Sequence, residues 1–152
     1  AAAYGEDKGI FAFGNNQYTP RYGMTNLVSN VGVVGSDVSA VGTARSGGGA
    51  CSYGEDKAIF AYGTTGTITA VSNLVSNSGV VASDVSGVGS ARSDGVGGVG
   101  YDSDKGIFAF GTTSGYTGIS NLVSSSGVVA SDTAAVGTAR SSQGGGVGYS
   151  TS

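Results

Sequence analysis

The ionisable residues of this chain recur in threes. An acidic pair precedes a lysine at Glu6-Asp7-Lys8, at Glu55-Asp56-Lys57 and, with a serine interposed, at Asp102-Ser103-Asp104-Lys105. An aspartate stands eight residues before an arginine at Asp37/Arg45, Asp84/Arg92 and Asp132/Arg140. Clustered carboxylates can bind Ca²⁺, which takes several carboxylate and carbonyl oxygens, but the spacing and closing glutamate of an EF-hand are missing. The simpler expectation is a tight turn before each lysine, because Asp favours turns through bonds to its own backbone. The Asp/Arg sets read as polar clamps between neighbouring repeats, since the planar Arg fork bonds a carboxylate or several carbonyls at once. A ring of arginines that binds an anion or a sugar carboxylate is the alternative. Asn26, Asn73 and Asn121 read as amides that cap turns or backbone.

Catalysis has little to work with. The chain has no histidine, so the usual general base, the Ser/His/Asp triad and imidazole-bound zinc are unavailable. Cys51 is the sole cysteine. It can form neither an intrachain disulfide nor a thiolate cage, and it reads as a small buried residue at the position of Val99. A glycosidase needs only two suitably spaced carboxyls, yet an active site seldom comes as three equal copies. Gly47-Gly48-Gly49 and Gly144-Gly145-Gly146 lack the GKS or GKT that follows a phosphate loop, and read as close-packed or flexible backbone. No catalytic residue, metal site or cofactor is expected.

Composition says what holds these residues. The 152 residues include 30 glycines, no Trp, and leucine only at Leu27, Leu74 and Leu122. Glycine weakens a helix by about 1 kcal/mol against alanine, while the Val, Ile, Thr, Tyr and Phe that supply the apolar content favour strands. Only 11% of residues are charged and 39% are hydrophobic, the reverse of a disordered chain. Seven basic against ten acidic residues leave no cationic stripe for a phosphate backbone, so nucleic acid is not an expected partner. No apolar run approaches the roughly 18 residues of a membrane span, so membrane insertion is not expected.

The sets of three belong to a repeat. The copies YGEDKGIFAFG, YGEDKAIFAYG and YDSDKGIFAFG each resume later as TNLVSNVGVVGSDVSAVGTAR, SNLVSNSGVVASDVSGVGSAR and SNLVSSSGVVASDTAAVGTAR. The repeats run over about 1–48, 49–96 and 97–144 within a single domain, and 145–152 begins a further first strand. Four strands per repeat are expected. In the second copy they are Gly49 to Tyr53, Ala58 to Tyr62, roughly Ile68 to Val75, and Gly79 to Val85. Alternation along the second strand puts Ile59 and Ala61 on one face and Phe60 and Tyr62 on the other. Neither face is polar, so the sheet is expected to be covered on both sides, as in radially stacked blades.

The order Arg45, a Gly/Ala segment, Lys57-Ala58-Ile59-Phe60-Ala61-Tyr62-Gly63, a polar turn and two further strands leading to Arg92 resembles the kelch-type β-propeller repeat. In that repeat an aromatic-rich second strand ends in glycine. Single glycines, Gly14, Gly63 and Gly111, stand where the kelch repeat has a doublet, and its fourth-strand Trp is absent. The phrases KAIFAYG, SNLVSNSGVVASD and VGSAR look like arrays in virion proteins of tailed bacteriophages, especially tail-fibre-like proteins of phages infecting cyanobacteria. The resemblance implies an all-β propeller and a structural role in a virion or outside the cell.

Three four-stranded blades are too few to close a propeller of four to eight. The expectation is a homodimer that closes six blades, with the C-terminal strand of one protomer completing the N-terminal blade of the other. The segment between the second and third strands varies among copies, and loops on a rigid scaffold are where recognition usually resides. Tyr18, Arg21, Tyr22, Thr65, Thr67, Thr113 and Tyr116 are its candidate contact residues. The function expected is a non-enzymatic structural or interaction module that contacts itself and other virion proteins. A multivalent glycan-binding lectin with one weak site per repeat, and a linear β-solenoid fibre segment, are the alternatives.

Overall fold

The structure, a computed structural model, describes residues 1–17 and 19–141. Among them the fold is all-β, without a helix. The strands are β1 (Ala2–Tyr4), β2 (Lys8–Asn15), β3 (Arg21–Val28), β4 (Gly49–Tyr53), β5 (Lys57–Ala61), β6 (Ser72–Val75), β7 (Gly97–Tyr101), β8 (Lys105–Ala109) and β9 (Ser120–Val123). They form three antiparallel three-stranded sheets, one per repeat, each with its strands in chain order. The register repeats: Ile10 faces Ala2 and Leu27, Ile59 faces Cys51 and Leu74, and Ile107 faces Val99 and Leu122. The acidic residues form the first hairpin turn, where Gly5 and Glu6, and again Gly54 and Glu55, have left-handed φ.

Each sheet has three strands instead of the expected four. The segment after β6 pairs with it by isolated bridges, Val75 to Val81 and Ser72 to Val85, with the Ala82 N–H donating to the Leu74 carbonyl at 2.8 Å between them. Two residues lie between the bridged positions on β6 and three between those on the opposing segment, which is the extra residue of a bulge. The Asn73 side chain fills the gap, donating from Nδ2 to the Ala82 carbonyl at 3.0 Å. Asn26 and Asn121 do the same for Gly35 and Ala130. A side-chain amide thus stands in for a ladder donor, and a regular fourth strand does not form.

Neighbouring sheets approach most closely at their first strands. β4 lies against β7 and β8, and β1 lies against β4 and β5, while the third strands make no comparable approach. Two cores result. Tyr4 and Ile10 of the first repeat pack with Ala58, Phe60, Val75 and Val81 of the second. Cys51, Tyr53, Ile59, Ala61 and Tyr62 of the second pack with Val96, Phe108 and Val123. Each sheet therefore has an Ile/Tyr face and a Phe/Val face, and one always meets the other.

Alternation misplaces Tyr62. Its ring lies with Ile59 and Ala61, on the face opposite Phe60. β5 ends at Ala61 and Tyr62 turns to φ 65°, as Phe13 and Phe110 do at 61° and 65°. That left-handed turn ends the period-two pattern and brings the ring to the other side of the sheet.

The first-strand place of the first sheet is filled by Ala2–Tyr4 of the same chain, so it is not open to a strand from another protomer. The C-terminal segment 145–152 lies outside the described residues.

Glycine permits the close approach of first strands. A Cβ at Gly98 would run into the Ala50 backbone, and one at Gly49 would lie 2.8 Å from the Val96 carbonyl oxygen. Gly115 has open space around that position. Overpacking of this kind costs about 1–3 kcal/mol, so Gly98→Ala is expected to destabilise the fold by about that much while Gly115→Ala leaves it within roughly 0.5 kcal/mol. Urea unfolding of the two variants checks this.

Candidate functional site

The three arginines take equivalent places in their repeats, Arg45 and Arg92 buried between one repeat and the next and Arg140 exposed at the end of the third. Arg45 is buried, with its guanidinium carbon 3.9 Å from the centre of the Phe13 ring in its own repeat. Across the interface its Nε donates to the Tyr62 carbonyl at 3.0 Å and Nη2 to the Phe60 carbonyl at 3.3 Å. Arg92 stacks over Tyr62 at 3.8 Å and Arg140 over Phe110 at 3.5 Å. A desolvated cation over an aromatic face is worth up to about 2 kcal/mol, which offsets the left-handed backbone that presents the ring, itself roughly 1–2 kcal/mol. Burial pulls the Arg45 guanidinium down to about 10, against the attraction of Asp84. Arg92 differs in detail, with Nε and Nη2 buried and without an acceptor among the described residues.

The aspartates join repeats as well, but through a hydroxyl. Asp84 accepts from the Thr43 amide at 3.1 Å and from the Thr43 hydroxyl at 2.5 Å, both in the preceding repeat. Asp132 accepts from the Ser90 amide at 3.0 Å and hydroxyl at 2.6 Å. Within its own repeat each is held by an amide, Asn73 or Asn121, at 2.9 Å. Asp37 has the corresponding bond from Asn26 at 2.8 Å. The hydroxyl partner was visible in the sequence as Thr43-Ala44-Arg45, Ser90-Ala91-Arg92 and Thr138-Ala139-Arg140, a recurrence that the Asp/Arg reading passed over. Only a glycine fits before that hydroxyl: a Cβ at Gly42 would lie 2.5 Å from Asn73 Nδ2, and Gly89 meets Asn121 in the same way.

The variable segments divide differently from the expectation. Arg21 and Tyr22 are strand residues of β3, paired with Asn15 and Gly14. Thr65 and Thr67 close a short turn by the bond from Thr65 N to Thr67 O at 3.1 Å, and Thr113 with Gly115 repeats it. Tyr116 is 69% exposed. A Cβ at Gly66 would stand 3.8 Å from Arg21 Nη1, so the first two variable segments lie side by side. Tyr18 lies outside the described residues. Among the described residues no cluster of three His, Cys, Asp or Glu side chains can hold a metal. The turn acids pair with their lysines instead, Asp7 with Lys8 at 2.9 Å and Asp102 with Lys105 at 2.6 Å.

No protein-family model matches the chain, and no curated protein matches it. Its chemistry is read from the geometry alone: buried cations, hydroxyl-bound carboxylates and two apolar cores, all of which bind repeat to repeat.

Burial opposes ionisation of Asp84, yet the Thr43 hydroxyl, the Asn73 amide and the Thr43 N–H outweigh it and hold the carboxyl below its usual range; Asp132 is held down likewise by Ser90 and Asn121. A carboxyl depressed in the folded state stabilises above its unfolded value of about 3.9 and loses that contribution as pH falls through the lower folded value. Stability measured by urea between neutral pH and pH 3 is expected to drop below about pH 4, with a shallower drop in Asp84→Asn. Burial also pushes the Cys51 thiol up to about 12. Cys51 is thus expected to stay unreactive towards a thiol reagent at neutral pH until the fold is opened by denaturant, which absorbance of the released chromophore follows directly.

Proposed function

We propose that this chain is a non-enzymatic β-propeller module, three blades of a ring that a second copy completes, and that it acts by assembly and surface contact as a component of a phage particle. The observation that carries this reading is that neighbouring sheets come together most closely at their first strands, β1 against β4 and β4 against β7. Blades around an axis are spaced in this way, whereas the layers of a linear solenoid keep one separation along their whole width. The unlike faces add support, because among the described residues the first sheet leaves its Phe/Val face and the third its Ile/Tyr face without a neighbouring sheet. Six blades from two chains lie within the four to eight that propellers use. The virion assignment rests on the resemblance of the repeat phrases to phage tail-fibre-like arrays.

Exposed Tyr116, beside the polar turn of the third repeat, favours a second reading as a lectin that gains avidity from several weak sites. Light scattering with small-angle X-ray scattering tests the first reading. The expected result is a compact particle of two 14.7 kDa chains; a single chain or an elongated rod overturns it. Binding on a glycan array that is lost in Tyr116→Ala supports the lectin reading instead.

A further inference from the structure

The two end faces of the chain carry the two halves of its internal interface. On the first sheet Phe11 is 52% exposed, whereas its counterparts Phe60 and Phe108 are buried at 5% and 0%. Phe60 is covered by the edge-on ring of Phe13 at 5.7 Å and Phe108 by that of Tyr62 at 5.5 Å, each from the preceding repeat. Val34 is 55% exposed where Val81 is buried. Gly32 has open space, while a Cβ at Gly79 would press on Leu27 and Tyr4 and one at Gly127 on Leu74 and Tyr53. A shallow cavity of about 210 Å³ beside Phe11 runs along this face between Phe13, Tyr22, Met24 and Asn26. Asn26, which lines it, holds the Asp37 carboxylate at 2.8 Å.

The opposite face of the third sheet presents the complement. Leu122 is 44% exposed, and Tyr101 and Ile107 are half-buried where Tyr53 and Ile59 are covered. Gly137 has the φ of Gly42 and Gly89, 77° against 79° and 76°. Those two glycines are met by the Asn and Asp of the following repeat, and Gly137 meets nothing within 4 Å among the described residues. The hydroxyl of Thr138, counterpart of Thr43 and Ser90, is exposed beside it.

We infer that the Phe11/Val34/Asp37 face of one copy docks onto the Leu122/Gly137/Thr138 face of a second copy, reproducing the contact already made twice inside the chain. Phe110 of one copy covers Phe11 of the other. The Asp37 carboxylate accepts from the Thr138 amide and hydroxyl, and the Asn26 amide seats against Gly137. Gly32 rests on Leu122 and Tyr101. The interface is heterologous, joining unlike faces, so two copies can close a ring through two equivalent contacts. This inference rests on the proposed self-assembly and adds its polarity and its residues.

Complementation tests it on the full chain. Phe11→Glu spoils one face by placing a charge at an exposed position, and Gly137→Asp spoils the other with a residue type that tolerates left-handed φ. Light scattering at high micromolar concentration is expected to give the mass of one chain for either variant alone, and a two-chain species, no larger, for an equimolar mixture. Val34→Glu and Thr138→Asp are expected to act as second members of each pair. Slow Cys51 modification and an unchanged circular dichroism spectrum show that each variant is folded. Wild-type mass retained by both variants of one face, or a mixture that stays at single-chain mass, overturns the docking mode while leaving self-assembly standing. Wild-type protein with the mass of one chain overturns both.

Discussion

The fold depends on the contact between unlike sheet faces. A three-stranded sheet of 3–8-residue strands cannot hold itself together in water, because burial on one side of so small a sheet yields too little against the ordering of its backbone. In the middle repeat both sides are covered, and Ala58, Ile59, Phe60 and Ala61 are all buried along a single strand. Stability is therefore shared between neighbours rather than owned by each repeat. Glycine at the first strands and a bulged, amide-bridged fourth segment are the backbone adjustments that let the faces meet.

Polar groups fix the register that apolar contact alone would leave loose. The Arg45 guanidinium lies between the Phe13 ring on one side and two carbonyls of the next repeat on the other. Phe13, Tyr62 and Phe110 all adopt left-handed φ, a conformation uncommon for an aromatic residue. Its recurrence in every repeat shows that placing the ring under the cation outweighs the local strain. The Asp84 and Asp132 carboxylates perform the equivalent task at the other edge, and at each of them a glycine before the hydroxyl residue leaves room for the approach.

Much of the architecture was legible from residue types. β4 falls at Gly49–Tyr53 as the pattern of small and apolar residues indicates, and the Asp-Lys segments are turns. Legibility failed where a side chain replaced the backbone. Asn73 bonding to Ala82 turns an apparent fourth strand into two bridges, and one left-handed residue moves Tyr62 to the opposite face. Neither effect is carried by hydrophobic periodicity. The Asp/Arg spacing does not name the direct partner of Asp84, which is Thr43. A hydroxyl that recurs at fixed distance from the arginine was the available signal. Arg21 and Tyr22 fall in the segment that varies among copies, and variation does not distinguish a loop from the extensions of β2 and β3 that occupy it.

Amide hydrogen exchange followed by mass spectrometry tests most directly whether a sheet is stable only when both of its faces are covered. β2 is predicted to be protected as well as β5 in concentrated protein and to lose that protection on dilution, while β5 changes little. Equal protection of the two strands at every concentration would contradict the account, since the first sheet would then be stable with its Phe/Val face in water.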